Sequence, residues 1–169
     1  MATEFEGTMR FPAKPEKIFE MITDPLYVQW KHSHMGGTDI KVDVKSEGKD
    51  IVVSSSRRLP AKIPAAARSI VGETIQIDEV HRWGPKKADG SRVAEVSATF
   101  GNAPMFINGS MHLEPEASGS VVKARIVAKA SVPLIGGKLE GVAGEQFLRA
   151  LNKEEGISPE WLAEGHTEA

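Results

Sequence analysis

Alternation of apolar and polar residues recurs along most of the chain and predicts β-strands. Phe5, Gly7, Met9 and Phe11 share one parity while polar side chains occupy the other, which is the pattern of a half-buried strand. Six later segments alternate in the same way, and turn residues such as Asp89-Gly90 separate them. These segments are 40–44, 51–57, 74–83, 92–100, 105–113 and 122–130. Strands joined by hairpins predict one antiparallel meander.

Helical spacing follows the first strand. Ile18, Phe19 and Ile22 form an apolar stripe, and Asp24-Pro25 ends this helix and caps the next one. The sequence therefore predicts two short helices between the first two strands.

A long helix is predicted from about residue 138 to 155. Apolar residues recur there at spacings of three and four, and Gly156 predicts its end, with one more turn from Ser158. Gly141 and Gly144 lie inside this helix and favour a close approach of its backbone to the sheet or to a ligand. The stripe consists of Leu139, Val142, Ala143, Phe147, Ala150 and Leu151.

Residues 59–71 fit neither pattern. They lie between two strands and carry two prolines, and residues 64–71 favour a short helix that stops at Gly72. The basic residues around this insert fit either packing on the sheet edge, which we favour, or contact with an anionic membrane surface. They are Arg57, Arg58, Lys62 and Arg68.

The order of elements predicts an α+β fold. A seven-stranded antiparallel sheet would curl around the long C-terminal helix, with two short helices after strand 1 and a helical insert near residues 60–71. We expect one domain over residues 1–163 and a flexible tail over 164–169. A curled sheet gripping one helix is hard to fill completely with side chains, so an apolar cavity is expected.

Composition narrows the function classes. The 169-residue chain has no cysteine and a formal net charge of −2, which excludes thiolate metal sites and argues against nucleic-acid binding. The N-terminal residues do not form a signal peptide, and no apolar run reaches the roughly 18 residues of a membrane span. We expect a cytoplasmic protein without cofactor, metal or stable membrane insertion.

The order of several motifs resembles a known superfamily. Residues 11–25 (FPAKPEKIFEMITDP) followed by Trp30 resemble the start of START-like proteins, the SRPBCC or helix-grip superfamily that includes the birch-pollen allergen. Three later segments are similar to a mostly actinobacterial branch of unknown function: 72–83, 109–115 (GSMHLEP) and 132–140 (VPLIGGKLE). The resemblance implies the helix-grip fold. Superfamily members bind sterols, lipids, hormones or polyketides, and some are cyclases or hydroxylase partners, but the branch brings no catalytic residue.

Candidate ligand-contacting residues come from the apolar parities of the sheet and the stripe of the long helix. We predict that the following line a cavity: Trp30, Ile75, Ile77, Met105, Ile107, Met111, Leu139, Val142, Gln146 and Phe147.

Glu79 and His81 share the parity of Ile75 and Ile77. If the strand is regular, a carboxylate and an imidazole enter the cavity side by side, where they can orient a polar head or act as general acid and base. The alternative, which we favour because rim charges are commoner than functional pairs, is that both lie in water at the mouth. They are weak catalytic candidates.

Two further sites carry polar residues with more than one interpretation. Glu140 lies in the first turn of the long helix, where it is either a dipole-stabilised carboxylate, which we favour, or a polar anchor at the cavity edge. His32 and His34 are two residues apart, a spacing that favours surface or helix-end positions over a metal site.

These features favour binding or carriage of a small hydrophobic molecule, lipid-like or polyketide-like, over enzyme activity. The first alternative is a cyclase- or dehydratase-type enzyme acting in the same cavity. The second is a protein-interaction module with a filled core and an exposed apolar patch marked by Phe106.

Overall fold

A computed structural model describes residues 2–63 and 65–165, which form seven strands and four helices. The element order is the predicted one. The elements are β1 (Ala2–Phe11), α1 (Pro15–Ile22), α2 (Pro25–His34), β2 (Thr38–Glu47), β3 (Asp50–Pro60), α3 (Ala65–Val71), β4 (Thr74–Trp83), β5 (Arg92–Phe100), β6 (Ala103–Glu116), β7 (Gly119–Ala130) and α4 (Gly136–Ala163).

All seven strands belong to one antiparallel sheet in the order β1-β7-β6-β5-β4-β3-β2. The first strand therefore pairs with the last, and the remaining strands follow as a meander. A Cβ at Gly109 of β6 would overlap the β7 backbone at Arg125 and Ile126, so glycine allows these strands to cross closely where the sheet coils. The predicted seven-stranded sheet around a C-terminal helix is confirmed.

The two short helices are positioned by proline and aspartate. Pro15 and Pro25 occupy their first turns, and the Asp24 side chain accepts a hydrogen bond from the Leu26 N–H at 2.9 Å. Ile18 and Met21 of α1 are fully buried. Helix α1 contacts β6 and β7, and α2 contacts β2 and β3.

Helix α4 is longer than the sequence predicts. It passes through Gly156 and Pro159 and ends at Ala163, so the predicted end at Gly156 is wrong. Trp161 is buried and its ring contacts Tyr27 and Trp30 at centroid distances of 5.4 and 5.3 Å. Burial of this indole offsets the helix cost of glycine, which is about 1 kcal/mol.

The helical insert is present as α3, whereas its predicted first residue, Pro64, lies outside the described residues. Most of the predicted flexible tail, residues 166–169, also lies outside them. Over the part of the chain that the structure describes, no helix combines the length and apolarity needed to cross a membrane.

Helix α4 meets the two ends of the sheet differently. It packs closely on β1, where a Cβ at Gly144 would overlap the Phe5 ring and a Cβ at Gly7 would crowd Leu148. Opposite β3 and β4 the same helix leaves a space. That space is the candidate site.

Candidate ligand-binding site

A cavity of about 310 Å³ lies between α4 and the β3–β4 side of the sheet. Its floor is formed by inward-facing residues of the central strands and its roof by one stripe of α4. The apolar lining includes Leu59, Ile63, Ile75, Ile77, Ala98, Phe100, Met105, Ile107, Met111, Leu139, Val142, Ala143, Phe147 and Leu151. The walls therefore offer mostly hydrocarbon surface to a ligand.

Most of the residues singled out from the sequence lie on this cavity wall. They are Ile75, Ile77, Met105, Ile107, Met111, Leu139, Val142, Gln146 and Phe147, together with Glu79 and His81. That they contact a ligand stays a prediction.

Trp30 lies elsewhere. It is half-buried, and its ring contacts Tyr27, His34 and Trp161 at centroid distances of 5.9, 4.3 and 5.3 Å. The α2 face that carries Trp30 packs against the C-terminal turns of α4 rather than the cavity. Trp30 is therefore a packing residue in this structure.

Glu140 also lies off the cavity wall. Its carboxylate is fully buried and accepts hydrogen bonds from the Thr3 hydroxyl at 2.8 Å and the Ala130 N–H at 2.9 Å. The bond from Ala130 and that from Thr3 outweigh the opposing effect of burial and lower the pKa of Glu140. Glu140 thus joins the start of α4 to β1 and to the end of β7.

Glu79 and His81 form a polar wall inside the cavity. Only 14% of the Glu79 side chain and 15% of the His81 side chain are exposed, so neither lies in bulk water at the rim. His81 Nε2 is hydrogen-bonded to Glu79 Oε2, and Arg57 Nη2 donates to Glu79 Oε1 at 3.2 Å. The β3–β4 pairing brings Arg57 there, because it lies opposite Ile77, one inward position before Glu79.

The electrostatics of this wall keep Glu79 charged. Burial by itself raises the pKa of Glu79, but the charges of His81 and Arg57 and the hydrogen bond from His81 outweigh it and hold the pKa well below its ordinary value. An ionised carboxylate only accepts hydrogen bonds. His81 Nε2 is therefore the donor in the hydrogen bond to Glu79.

His32 of α2 borders the same cavity and is buried, with Nε2 3.3 Å from the Ser55 hydroxyl. Burial lowers the pKa of His32 to about 2, and the charges of Lys31 and Arg57 act in the same direction. The imidazole is therefore neutral. Both histidines lie in the last turn of α2, so the predicted helix-end position holds, but His32 is buried toward β3 whereas His34 is exposed.

A second polar group lines the cavity where α2 meets α4. Glu154 is buried and accepts a hydrogen bond from the Tyr27 hydroxyl at 2.8 Å and from Lys31 Nζ at 3.1 Å. Burial and the Glu154 carboxylate raise the pKa of Tyr27, so the phenol stays protonated and donates. Sequence reasoning missed Glu154 and Lys31, because their contact depends on how two helices far apart in the chain pack.

The site offers no evident metal centre: within residues 2–63 and 65–165, no three His, Asp or Glu side chains are grouped so that they could hold an ion. The lining offers apolar burial and hydrogen bonding to the Arg57–Glu79–His81 wall.

The fold and the cavity define a class. A curled antiparallel sheet that grips a long C-terminal helix over a cavity is the helix-grip fold of START-like, birch-pollen-allergen-like proteins. Solved structures agree: TTHA0849 from Thermus thermophilus superposes with a TM-score of 0.59 at 16% identity, covering 92% of this chain and 94% of that one. Ara h 8.0201 superposes with a TM-score of 0.57 at 13% identity, covering 93% and 97% of the two chains.

Within that class, residues 6–162 match the family described as "Protein of unknown function (DUF2505)", and the chain belongs to this family. An uncharacterised protein of Mycobacterium tuberculosis, Rv0481c, is 25% identical over 122 residues, which cover 71% of this chain and 70% of that protein. The norcoclaurine synthase of Thalictrum flavum, solved in complex with dopamine and hydroxybenzaldehyde, shares the fold with a TM-score of 0.55 at 11% identity, covering 98% of this chain and 88% of that one.

Proposed function

We propose that this protein binds or carries a small hydrophobic molecule, lipid-like or polyketide-like, in the cavity between the sheet and α4. One observation carries the proposal: the helix and the β3–β4 side of the sheet enclose about 310 Å³ lined mainly by apolar side chains. Ligand pockets have volumes of about 300–1,000 Å³ and apolar walls with few polar groups. The volume of this cavity lies near the lower limit of that range, and its walls are mainly apolar.

The two kinds of wall would divide the work of binding. Burial of hydrocarbon against residues such as Ile77, Met105 and Phe147 supplies affinity. The polar wall supplies orientation, since Arg57 Nη1 is buried without a hydrogen-bond partner among the described residues and a buried donor gains from an acceptor brought by a ligand. A molecule with an apolar body and a carbonyl or hydroxyl oxygen fits both.

The binding test uses a tryptophan that fills the cavity. Val142 lies on the cavity stripe of α4, whereas Glu145 of the same helix is exposed. We expect Val142→Trp to weaken binding of the fluorescent probe Nile red at least about tenfold, as loss of a buried apolar contact surface requires. Glu145→Trp is the matched control and should bind like the unaltered protein.

Two further measurements support or oppose the same proposal. Phe147→Ala removes part of the lining and should also weaken Nile red binding. Native mass spectrometry of the purified protein should show a co-purified mass of lipid size. Equal affinity in all variants together with no bound mass would contradict the proposal.

The inward Glu79–His81 pair favours a second candidate function, an acid–base enzyme of cyclase or dehydratase type. In this alternative Glu79 would hold the ring of His81 through Nε2, and Nδ1 of the neutral ring would take a proton from the carbon beside a carbonyl. Arg57 would stabilise the negative charge that develops on that carbonyl oxygen.

A thioester probe tests the enzyme alternative. The β-hydroxybutyryl thioester of N-acetylcysteamine should exchange its α-proton in D2O, or lose water, only with the unaltered protein, and His81→Asn should abolish the reaction while Nile red still binds. Neither exchange nor water loss above the protein-free rate would count against catalysis.

The interaction-module alternative is the least supported. It requires a filled core, whereas the space under α4 is large enough for a small ligand. Its marker residue, Phe106, is 38% exposed on the outer face of β6, and a single exposed aromatic needs no partner.

A further inference from the structure

We propose that the ligand is an anionic amphiphile whose apolar part enters the cavity while its charged head binds Lys62, Arg149 and Lys153 at the mouth. This inference rests on the proposed binding function and names the chemical class of its ligand. The head is a carboxylate, sulfate or phosphate, the groups that lysine and arginine recognise.

The sign of the charge along the cavity differs from that of the whole protein. Two carboxylates line the cavity, Glu79 and Glu154, together with five cations: Lys31, Arg57, Lys62, Arg149 and Lys153. The lining therefore has an excess of positive charge, whereas the chain as a whole has a net charge of −2. A concave surface that gathers positive charge on an acidic protein favours an anionic partner.

Both lining carboxylates are already used inside the protein. Glu79 accepts from Arg57 at 3.2 Å, and Glu154 accepts from Lys31 at 3.1 Å. The positive charges of Arg57 and Lys31 are therefore compensated. The three other cations carry the excess positive charge.

Those three cations have no ion pair within residues 2–63 and 65–165, and all three are exposed although they line the cavity. Their ammonium and guanidinium groups are thus hydrated at the opening rather than buried inside it, as long basic side chains prefer.

The three residues also border the opening from two elements. Arg149 and Lys153 are one helical turn apart on α4, on the stripe that carries Val142 and Gln146. Lys62 belongs to the segment after β3 that lines the same cavity. Side chains from both elements could therefore contact an anionic head at the mouth, while the hydrocarbon chain of the ligand lies against the apolar walls.

The test compares matched amphiphiles below their micelle concentrations. Dodecanoate, dodecyl phosphate and neutral dodecanol share one chain, and each is titrated against Nile red bound to the unaltered protein. Single exposed ion pairs are weak, so we expect three of them to make the better anion bind about tenfold more tightly than dodecanol. Salt at about 0.5 M should remove most of that difference, because the charges are exposed. The ranking of the two anions distinguishes a carboxylate from a phosphate head.

A double variant tests the assignment to these residues. Arg149→Gln/Lys153→Gln should bind dodecanol normally and lose most of the preference for the anion. Lys41→Gln/Lys49→Gln is the control, because it removes the same charge from exposed positions of the β2–β3 hairpin and should keep the preference.

The outcomes separate the two proposals. Equal binding of dodecanol and the anions, or a preference that survives the Arg149→Gln/Lys153→Gln change, overturns the anionic-ligand inference and leaves the cavity as a hydrophobic site. If Nile red does not bind the unaltered protein at all, the proposed binding function fails as well.

Discussion

The two ends of the sheet meet the same helix in opposite ways. We call the contact of α4 with β1 and β7 the packed half, and the β3–β4 side across the cavity the cavity half. In the packed half, Gly144 lies against Phe5 and Glu140 joins Thr3 to Ala130. In the cavity half, a cavity of about 310 Å³ lies between the helix and the strands.

This difference explains how one helix can support a rigid fold and an open site together. The packed half uses a glycine for close approach and a buried carboxylate for anchoring, so it sets the position of α4. The cavity half is then held open without needing direct helix–strand contact there. Stability should therefore depend mainly on the packed half and ligand affinity on the cavity half.

The largest expected effect is on the packed half. Gly144→Val places a branched side chain against Phe5 and should lower the free energy of unfolding by about 3 kcal/mol, the upper end of the range for overpacking. Gly141→Val is the matched control on the same helix, because no atom lies within 4 Å of its Cβ position, and it should change stability by no more than about 0.5 kcal/mol. Urea unfolding measures the stability of both variants, and equal stability would contradict the close packing of α4 at Gly144.

The second effect concerns the Glu140 anchor. Glu140→Gln keeps the shape but removes the charge from two hydrogen bonds, each of which joins α4 to a different strand. Hydrogen bonds to charged groups contribute about 1.5–3 kcal/mol, so we expect a loss of about 2 kcal/mol in urea unfolding. Glu145→Gln, at an exposed position of α4, should stay within about 0.5 kcal/mol. A Glu140→Gln protein as stable as this control would show that Glu140 does not anchor α4 to the sheet.

The third effect places a pH dependence in the cavity half. The folded pKa of His32 is lowered to about 2 from an ordinary 6.5, so below pH 6.5 the unfolded chain binds a proton that the folded protein does not. Stability from the neutral ring is complete above pH 6.5 and decreases as the pH falls, by about 2 kcal/mol between pH 7 and pH 5.

Variants isolate this contribution. His32→Gln should flatten the dependence of the free energy of unfolding between pH 7 and pH 5. His34→Gln, at an exposed position of the same helix, should retain it. The same slope in the unaltered protein and in His32→Gln would show that His32 is not buried in its neutral form.

The smallest effect compares one substitution in both halves. Ile126 of β7 is 1% exposed beside α4, whereas Ile77 of β4 borders the cavity and is half-buried. Ile126→Val should cost about 1 kcal/mol in thermal unfolding, and Ile77→Val should cost less than half of that because it removes a methyl group that faces partly empty space. A larger loss at Ile77 would contradict the assignment of the two halves.

Local sequence signals predicted the elements well. The bounds of β4 and β5 match the predicted 74–83 and 92–100. The turn residues from Gly84 to Asp89-Gly90 interrupt the alternation and so mark the end of one strand and the start of the next. The end of α4 was missed because burial of Trp161 against α2 is a contact between distant parts of the chain.

The site was harder to predict because it depends on pairing and helix rotation. Parity allowed Glu79 and His81 to face inward, but the favoured expectation that both lie in water at the mouth was wrong. Arg57 and His32 come near them only through the β3–β4 register and the rotation of α2. One signal for Arg57 was available: it shares the parity of Val53 and of Leu59, so an arginine lies among inward-facing positions of a strand.

The most direct test of the central claim is a methyl NMR titration of the unaltered protein with dodecanoate. The account predicts that chemical shifts change most at the cavity methyl groups of Ile75, Ile77, Met105, Met111 and Val142. The methyl groups of Ile18 and Met21, which lie in the core under α1, should change little. Shifts confined to the exposed surface around Leu26 or Leu134, with the cavity methyl groups unchanged, would contradict ligand binding under α4.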